Sequence, residues 1–280
     1  MRIRLFGLAS LVIMTAAAIS QKAYAQPREA AFQNGERLTY NLGWALRGVM
    51  TANAGEVVFT TSLTNISGQQ TYKVSANGRT LPAVRLLFDM NDTYETWLDM
   101  ETLRPLRFRN ELKENKYRFR SEFAYDWGAM KVHTTYQNLR RHPEPQTMTM
   151  DLTPQSADAV AFFFSLRSQD LDSFTVGEMH YFDLVLYNKI TRLGFKVLGR
   201  ETRRIGRLGT FNTIKLSCQL TSTDDEEGQT FEDGTEFFMW LSDDRNRIPL
   251  LLESPTKIGS IVATISRFEG LKYPLDSRVR

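Results

Sequence analysis

A mainly β fold, a large curved antiparallel sheet or partly open β-barrel with one or two helices packed against its concave face, is what this 280-residue sequence predicts. Three observations carry the prediction. Apolar and polar residues alternate in about a dozen short segments, the period of a strand with one wet face. One later segment, Pro154 to Leu166, is apolar around almost its whole circumference, so it has to be covered by something. A shorter apolar stretch, Leu81 to Phe88, is a second candidate cover for the sheet's apolar face.

In chain order, the first element is an address. Arg2 and Arg4 give a charged start, Leu5 to Ile19 is too short for a comfortable membrane span, and Ala23-Tyr24-Ala25 places small residues at both cleavage subsites. The expectation is a secretory signal peptide over 1–25, cleaved after Ala25, followed by one mostly β domain over 26–280. Loss of Arg2, Arg4 and Lys22 removes three bases and no acid from a chain with 35 Lys and Arg against 32 Asp and Glu, so the mature protein is formally neutral. Long-range attraction to nucleic acid is therefore not expected. Beyond the signal no run reaches the roughly twenty apolar residues of a transmembrane helix, and no cysteine ends the signal to carry a lipid, so a soluble product is expected.

The mature chain opens its strands at Arg37 to Trp44. Glu56 to Leu63 and Thr71 to Ala76 read as a hairpin through Asn65-Ile66-Ser67-Gly68. Leu106, Phe108, Asn110 and Leu112 alternate with Arg107, Arg109, Glu111 and Lys113, and Tyr117 to Tyr125 repeats the pattern, with Glu114-Asn115 as the turn between them. Met130 to Tyr136 is the next strand, after which Arg140 to Pro154 reads as a connection dividing two lobes, 33–140 and 150–275, of a single sheet. Thr153-Pro154 has the chemistry of a helix start, a hydroxyl acceptor followed by proline in the first turn, and the helix runs to about Leu166. Strands resume at His180 to Tyr187, Phe195 to Glu201, Phe211 to Thr221, Thr235 to Leu241, Pro249 to Ser254 and Gly259 to Phe268.

Signatures of catalysis are missing. No Gly-x-Ser-x-Gly elbow occurs, Cys218 lies inside an apolar strand, and His133, His142 and His180 are too scattered for a metal site. The glycines from Gly194 to Gly209 sit between strands, so they turn the chain and do not cradle a phosphate. Asp224-Asp225-Glu226-Glu227 lacks the alternating spacing of a calcium loop and reads as a hairpin tip, and Asp243-Asp244 reads as a turn. No catalytic residue, metal or cofactor is expected. Two basic stretches remain, one from Arg104 to Glu122 with Arg107, Arg109, Arg118 and Arg120, the other from Arg192 to Arg207; each reads as a wet sheet face or as a patch for an anionic surface.

Gly35-Glu36-Arg37-Leu38-Thr39-Tyr40, Asp158 with Phe164-Ser165-Leu166-Arg167, Gly209 to Lys215, and Trp240-Leu241-Ser242-Asp243-Asp244 through Ile248-Pro249 to Ile258-Gly259-Ser260 resemble the exported bacterial family known as domain of unknown function 3108. The resemblance covers nearly the whole mature chain. It implies a periplasmic, mainly β protein of a Gram-negative type of cell with no established activity, and supplies no catalytic residues. In architecture the predicted elements are also similar to the periplasmic lipoprotein-carrier fold, a curved sheet closed over an apolar cavity by helices, though fold does not fix function.

The expectation is accordingly a non-enzymatic protein that binds a lipid or other amphiphile between sheet and helix, lined by Trp44, Trp97, Val160, Phe163, Phe164 and Trp240, each of which could equally be core packing. The alternative is a structural or assembly factor that binds an envelope protein or anionic surface through the outer face of Arg107, Arg109, Arg118 and Arg120. An enzyme acting on envelope glycan or lipid would need two carboxylates brought together by folding.

Overall fold

The computed structural model describes residues 29–46, 49–221, 236–255 and 259–279. The signal segment, the acidic run 224–227 and Ile258 lie outside them. Among the described residues fifteen strands form one sheet: β1 (Arg37–Leu46), β2 (Val49–Ile66), β3 (Gln69–Thr80), β4 (Asn91–Asp99), β5 (Pro105–Glu114), β6 (Tyr117–Asp126), β7 (Lys131–Asn138), β8 (His142–Asp151), β9 (Ser156–Ala157), β10 (His180–Val185), β11 (Ile190–Ile205), β12 (Gly209–Thr221), β13 (Glu236–Ser242), β14 (Pro249–Pro255) and β15 (Ser260–Glu269). The α-helix α1 (Ala159–Arg167) precedes β10, and a 3-10 turn spans Leu171–Ser173.

The order across the sheet is β8-β7-β6-β5-β4-β3-β2-β1-β15-β14-β13-β12-β11-β10-β9. The chain starts in the middle at β1, meanders out to β8, crosses to β9 on the far edge, and meanders back until β15 pairs with β1. Among the described strands only β9 and β10 run parallel. The crossing from Asp151 to Ser156 covers five residue steps, roughly 17 Å even when fully extended. The two edges must therefore approach, and the sheet curls without closing into a hydrogen-bonded barrel. Tyr187, on the connection after β10, spans part of the gap: its carbonyl accepts from Thr134 Oγ1 of β7 at 2.7 Å, and its ring meets Phe119 and Tyr136 at 5.1 and 4.9 Å.

Turn chemistry explains several registers. Ser67 and Gly68 both have positive φ, 50° and 86°, which suits a two-residue hairpin loop and leaves Ile66 paired with Gln69. The next tight hairpin turns on Asn115-Lys116, one residue beyond the predicted Glu114-Asn115, because Asn115 tolerates φ 44° and Glu114 still pairs with Tyr117.

Three expectations are corrected. The predicted connection Arg140 to Pro154 contains strand β8, whose Pro143 and Pro145 are accommodated because it is an exposed edge strand. The helix begins at Ala159, five residues after Pro154. Asp158 is the residue whose carboxylate accepts from the Val160 and Ala161 amides at 3.0 and 2.9 Å, whereas the Thr153 hydroxyl donates to Asp183 at 2.6 Å and Ser156–Ala157 pairs with β10. Leu81 to Phe88 covers nothing: it is a turn-rich loop in which Leu86 is 100%, Leu87 85% and Phe88 44% exposed.

Helix α1 lies between the sheet's wings. Nine residues would not hold a helix in water; here Val160, Phe162, Phe164 and Leu166 are buried, a contribution of about 6–12 kcal/mol at most for four such side chains. Val74, Leu98, Phe108, Phe123 and Val132 meet it from one wing, and Phe182, Phe195, Leu216, Cys218 and Met239 complete the same core from the other. A second cluster joins Leu38 and Tyr40 to Ile205, Phe211, Trp240, Ile248 and Leu250, with Leu271 and Leu275 of the C-terminal segment packed against it.

Candidate functional site

Even-numbered residues of β1 alternate onto the face that looks at α1. Leu38, Tyr40 and Leu42, with Val57 and Phe59 of β2, Pro249 and Leu252 of β14 and Ala263 of β15, surround a cavity of about 190 Å3 under Phe163, Phe164 and Arg167 of the helix. Leu42, Val57, Phe59, Phe163, Leu252 and Ala263 are only half-buried, so this space is unfilled apolar surface within the fold. It slightly exceeds the roughly 150 Å3 apolar cavity that holds benzene or xenon. It can take a small apolar ring or one end of an acyl chain, not a whole lipid.

Arg167 closes one end. Its two terminal nitrogens donate to the two Glu36 carboxylate oxygens at 2.7 and 2.9 Å, its Nε donates to the Asn246 carbonyl at 3.1 Å, and both side chains are 1% exposed. The Phe164 and Phe32 rings lie 5.1 and 5.7 Å from the guanidinium carbon. Asn246 carries the anchor onward, donating from Nδ2 to the Tyr273 and Pro274 carbonyls at 3.0 Å. A buried pair of this kind contributes little net stability, but loss of one partner strands a charge and costs about 3–5 kcal/mol. Its effect is to fix the C-terminal end of α1 to the start of β1 and to the β13–β14 turn.

The other end of the helix is held by a titratable group. Asp158 is completely buried and accepts from Thr96 Oγ1 of β4 at 2.8 Å as well as from the first-turn amides. Burial raises its pKa to about 6, against the opposing pull of the Ala161 amide and the Thr96 hydroxyl. Burial and the Asp158 carboxylate together hold the Tyr125 phenol well above its usual range.

Of the six predicted lining residues the structure brings two, Phe163 and Phe164, to the cavity. Val160 is buried in the main core. The tryptophans are elsewhere: Trp97 lies under Lys73 and Arg107 at 5.0 and 5.6 Å, and Trp44, 36% exposed, rests against Gly259 near the end of β1. Trp240 donates to Glu201 at 2.6 Å beneath Arg203. Phe59, Leu252 and Ala263 had no signal beyond strand alternation, and Tyr40, Glu36 and Arg167 stood out only as members of the segments that carry the family resemblance, with nothing to pair Glu36 with Arg167.

The outer face of β4–β8 holds a wide groove of about 720 Å3 with Glu95, Arg109, Glu111, Arg120, Glu122 and His133 along it. Its arginines are compensated. Arg107 pairs with Glu122, Arg109 with Glu95 at 2.5 Å, and Arg120 donates to Gln137 at 2.7 Å. Burial opposes ionisation of Glu95, yet its hydrogen bonds from Lys73 and Arg109 prevail and hold the carboxyl below its ordinary value. Arg118, at the β5–β6 turn, spends its donors on the Asn115 and Tyr117 carbonyls. The predicted basic patch is thus a stripe of alternating charge.

Over residues 39–266 the sequence matches the family model described as Protein of unknown function (DUF3108). The chain belongs to this family. Among solved structures this DUF3108 protein is similar to the crystal structure of a β-barrel-like protein of domain of unknown function DUF1849 from Brucella abortus, with a TM-score of 0.56 and 12% identity over 87% of this chain and 100% of that one. At that identity the likeness concerns the fold alone. No curated protein matches the DUF3108 chain.

Among the described residues, no group of three or more His, Cys, Asp or Glu side chains could hold a metal ion, and no helix is long and apolar enough to cross a membrane. His133 meets Thr149 at 2.8 Å and His180 stacks on Phe174. Asp244 accepts from the Asn246 amide and from Ser277 while Asp243 accepts from Arg200, so this acidic pair organises a turn. Cys218 is buried and free, and burial raises its thiol pKa far above the usual range.

Proposed function

We propose that this is an exported, periplasmic, non-enzymatic protein that binds the apolar part of an envelope amphiphile between α1 and the sheet. The observation that carries the reading is the unfilled space under Phe163 and Phe164, walled by half-buried apolar side chains of four strands. Unfilled apolar space costs stability that close packing would otherwise supply, and an apolar ligand restores those contacts. Only the guanidinium of Arg167 is charged in the wall, and its partners inside the protein occupy it. The site therefore selects by shape and apolarity.

The test is mass spectrometry of organic extracts from the mature protein, residues 26–280, purified from a native periplasm, beside Ala263→Phe. Phenylalanine at 263 fills the cavity from the β15 side. The expected result is one lipid class enriched at near-stoichiometric amount in the wild type and reduced at least about tenfold in the variant, as filling a single small cavity blocks its ligand. Equal extracts from the two proteins, or a clean extract from a folded wild type, would refute the reading. Surface binding through Arg107, Arg109, Arg118 and Arg120 stands second, because three of these four cations already have side-chain partners on the sheet.

A further inference from the structure

Antiparallel order places the end of β1, the β3–β4, β5–β6 and β7–β8 connections and the start of β15 at one end of the curled sheet. That rim is unusually apolar. Leu86 and Leu87 are almost fully exposed, and Phe88, Tyr117, Leu139 and Ile261 are 40 to 55% exposed, where single scattered apolar residues would be ordinary. The loop bearing the first three is not loose chain. Val84 accepts from the Leu87 and Phe88 amides in one helical turn, and the Asp89 backbone exchanges two hydrogen bonds with Asn115 of the β5–β6 turn at 2.9 and 2.7 Å. Next along the rim, the Leu139 amide donates to the Arg118 carbonyl at 3.0 Å, linking the β7–β8 turn to β6.

Charge in three of these connections is mainly basic, with Arg85 paired to Asp89 at 3.3 Å. Residues 81–90, 115–116 and 139–141 carry Arg85, Lys116, Arg140 and Arg141 against Asp89 alone. Just beneath, Asp92 and Glu114 share a hydrogen bond; burial raises both pKa values, the Asp92 charge and that hydrogen bond raise Glu114 further, and the Lys113 amide and Glu114 oppose the rise at Asp92. On the other wing β12 ends and β13 begins at this same end of the sheet, and the acidic run 224–227 between them lies outside the described residues.

We propose that the β3–β8 part of this rim docks on an anionic lipid surface, with Leu86, Leu87 and Phe88 entering the hydrocarbon and Arg85, Lys116, Arg140 and Arg141 meeting headgroups. A protruding apolar tip beside bases, with the tyrosine of a neighbouring turn, has the chemistry of a bilayer interface: hydrocarbon, headgroup charge and amphipathic ring each find a match. A protein partner would more naturally meet a flat or concave patch, whereas these apolar groups sit on the tips of separate hairpins. The proposal rests on the amphiphile-binding reading for its purpose. Arg167 and Glu36 shut the cavity near Leu38, so its Leu42 end runs along β1 toward Trp44 and this rim.

Co-sedimentation of mature protein with phosphatidylglycerol–phosphatidylethanolamine vesicles, and separately with phosphatidylcholine vesicles, tests it. The variants are L86S/L87S/F88S, R85E/K116E/R140E/R141E and A263F, each checked by circular dichroism. The expected result is salt-sensitive binding to the anionic vesicles, weakened about tenfold or more in the serine variant. The charge-reversed variant should lose the preference for anionic vesicles, and A263F should bind like wild type. Docking is overturned if wild type does not sediment with vesicles, if the serine variant binds equally, or if a photocrosslinker at position 87 captures one protein partner while vesicles capture nothing. Failure of the cavity reading alone would appear as intact vesicle binding with a clean lipid extract.

Discussion

At Asp158 one carboxylate, fully buried, caps α1, accepts from Thr96 and sits beside Tyr125. Its folded pKa of about 6 lies above the ordinary 3.8, so the protonated form is the one folding favours. Its contribution to stability is complete below pH 3.8 and is lost as pH rises through 6, a change of about 3 kcal/mol for a shift of this size. Asp158→Asn keeps a good cap and has no proton to lose. Urea unfolding at pH 4 and pH 7.5 should show the variant gaining up to about 3 kcal/mol relative to wild type at the higher pH. A difference that stays constant between the two pH values would contradict the assignment. The sequence offered Asp158 only through family resemblance, since nothing local says that an N-cap will be dry.

Periodicity found twelve of the fifteen described strands, leaving β4 and β9 unread, and it misread β8, the Leu81 to Phe88 loop and α1 because it measures amphipathicity, which these three lack. β8 is exposed along almost all its length because one edge of the sheet has no neighbour, so its prolines looked like a loop. The loop from Leu81 to Phe88 is apolar yet exposed, and α1 is apolar yet starts late because Thr153 to Ala157 is committed to β10. A helix apolar all round also conceals which phenylalanine faces what. Phe162 is 2% exposed against Phe182 at 4.8 Å between ring centres, whereas Phe163 is half-buried at the cavity. Phe162→Ala should therefore cost about 3–5 kcal/mol in denaturant unfolding, and Phe163→Ala clearly less, since its ring borders unfilled space. Equal losses would mean that the helix presents a different face to the sheet.

For the molecule as a whole, the consequential feature is that β1 occupies the centre of the sheet and gains its second neighbour only when β15 arrives. Two meanders lie either side of β1, and spacing alone could not reveal how they join because pairing of Leu38 with Phe268 leaves no local signature. Ties that cross between the meanders include the β1–β15 ladder, the Glu36–Arg167–Asn246 anchor, the Thr96–Asp158 hydrogen bond, and Tyr187 against Phe119, Tyr136 and Thr134. If either meander opened, β1 would lose a ladder and the apolar faces that sandwich α1 would meet water together. Unfolding should then be a single transition. Trp97 reports on one meander and Trp240 on the other, so variants in which Trp97 or Trp240 is the sole one of the four tryptophans should give fluorescence midpoints in urea that coincide with each other and with far-ultraviolet circular dichroism. Separated midpoints would show that the meanders fold independently. By the same reasoning a chain ending before Ser260 should fail to fold, because β1 would be left as an open edge and the wall containing Ala263 would be absent.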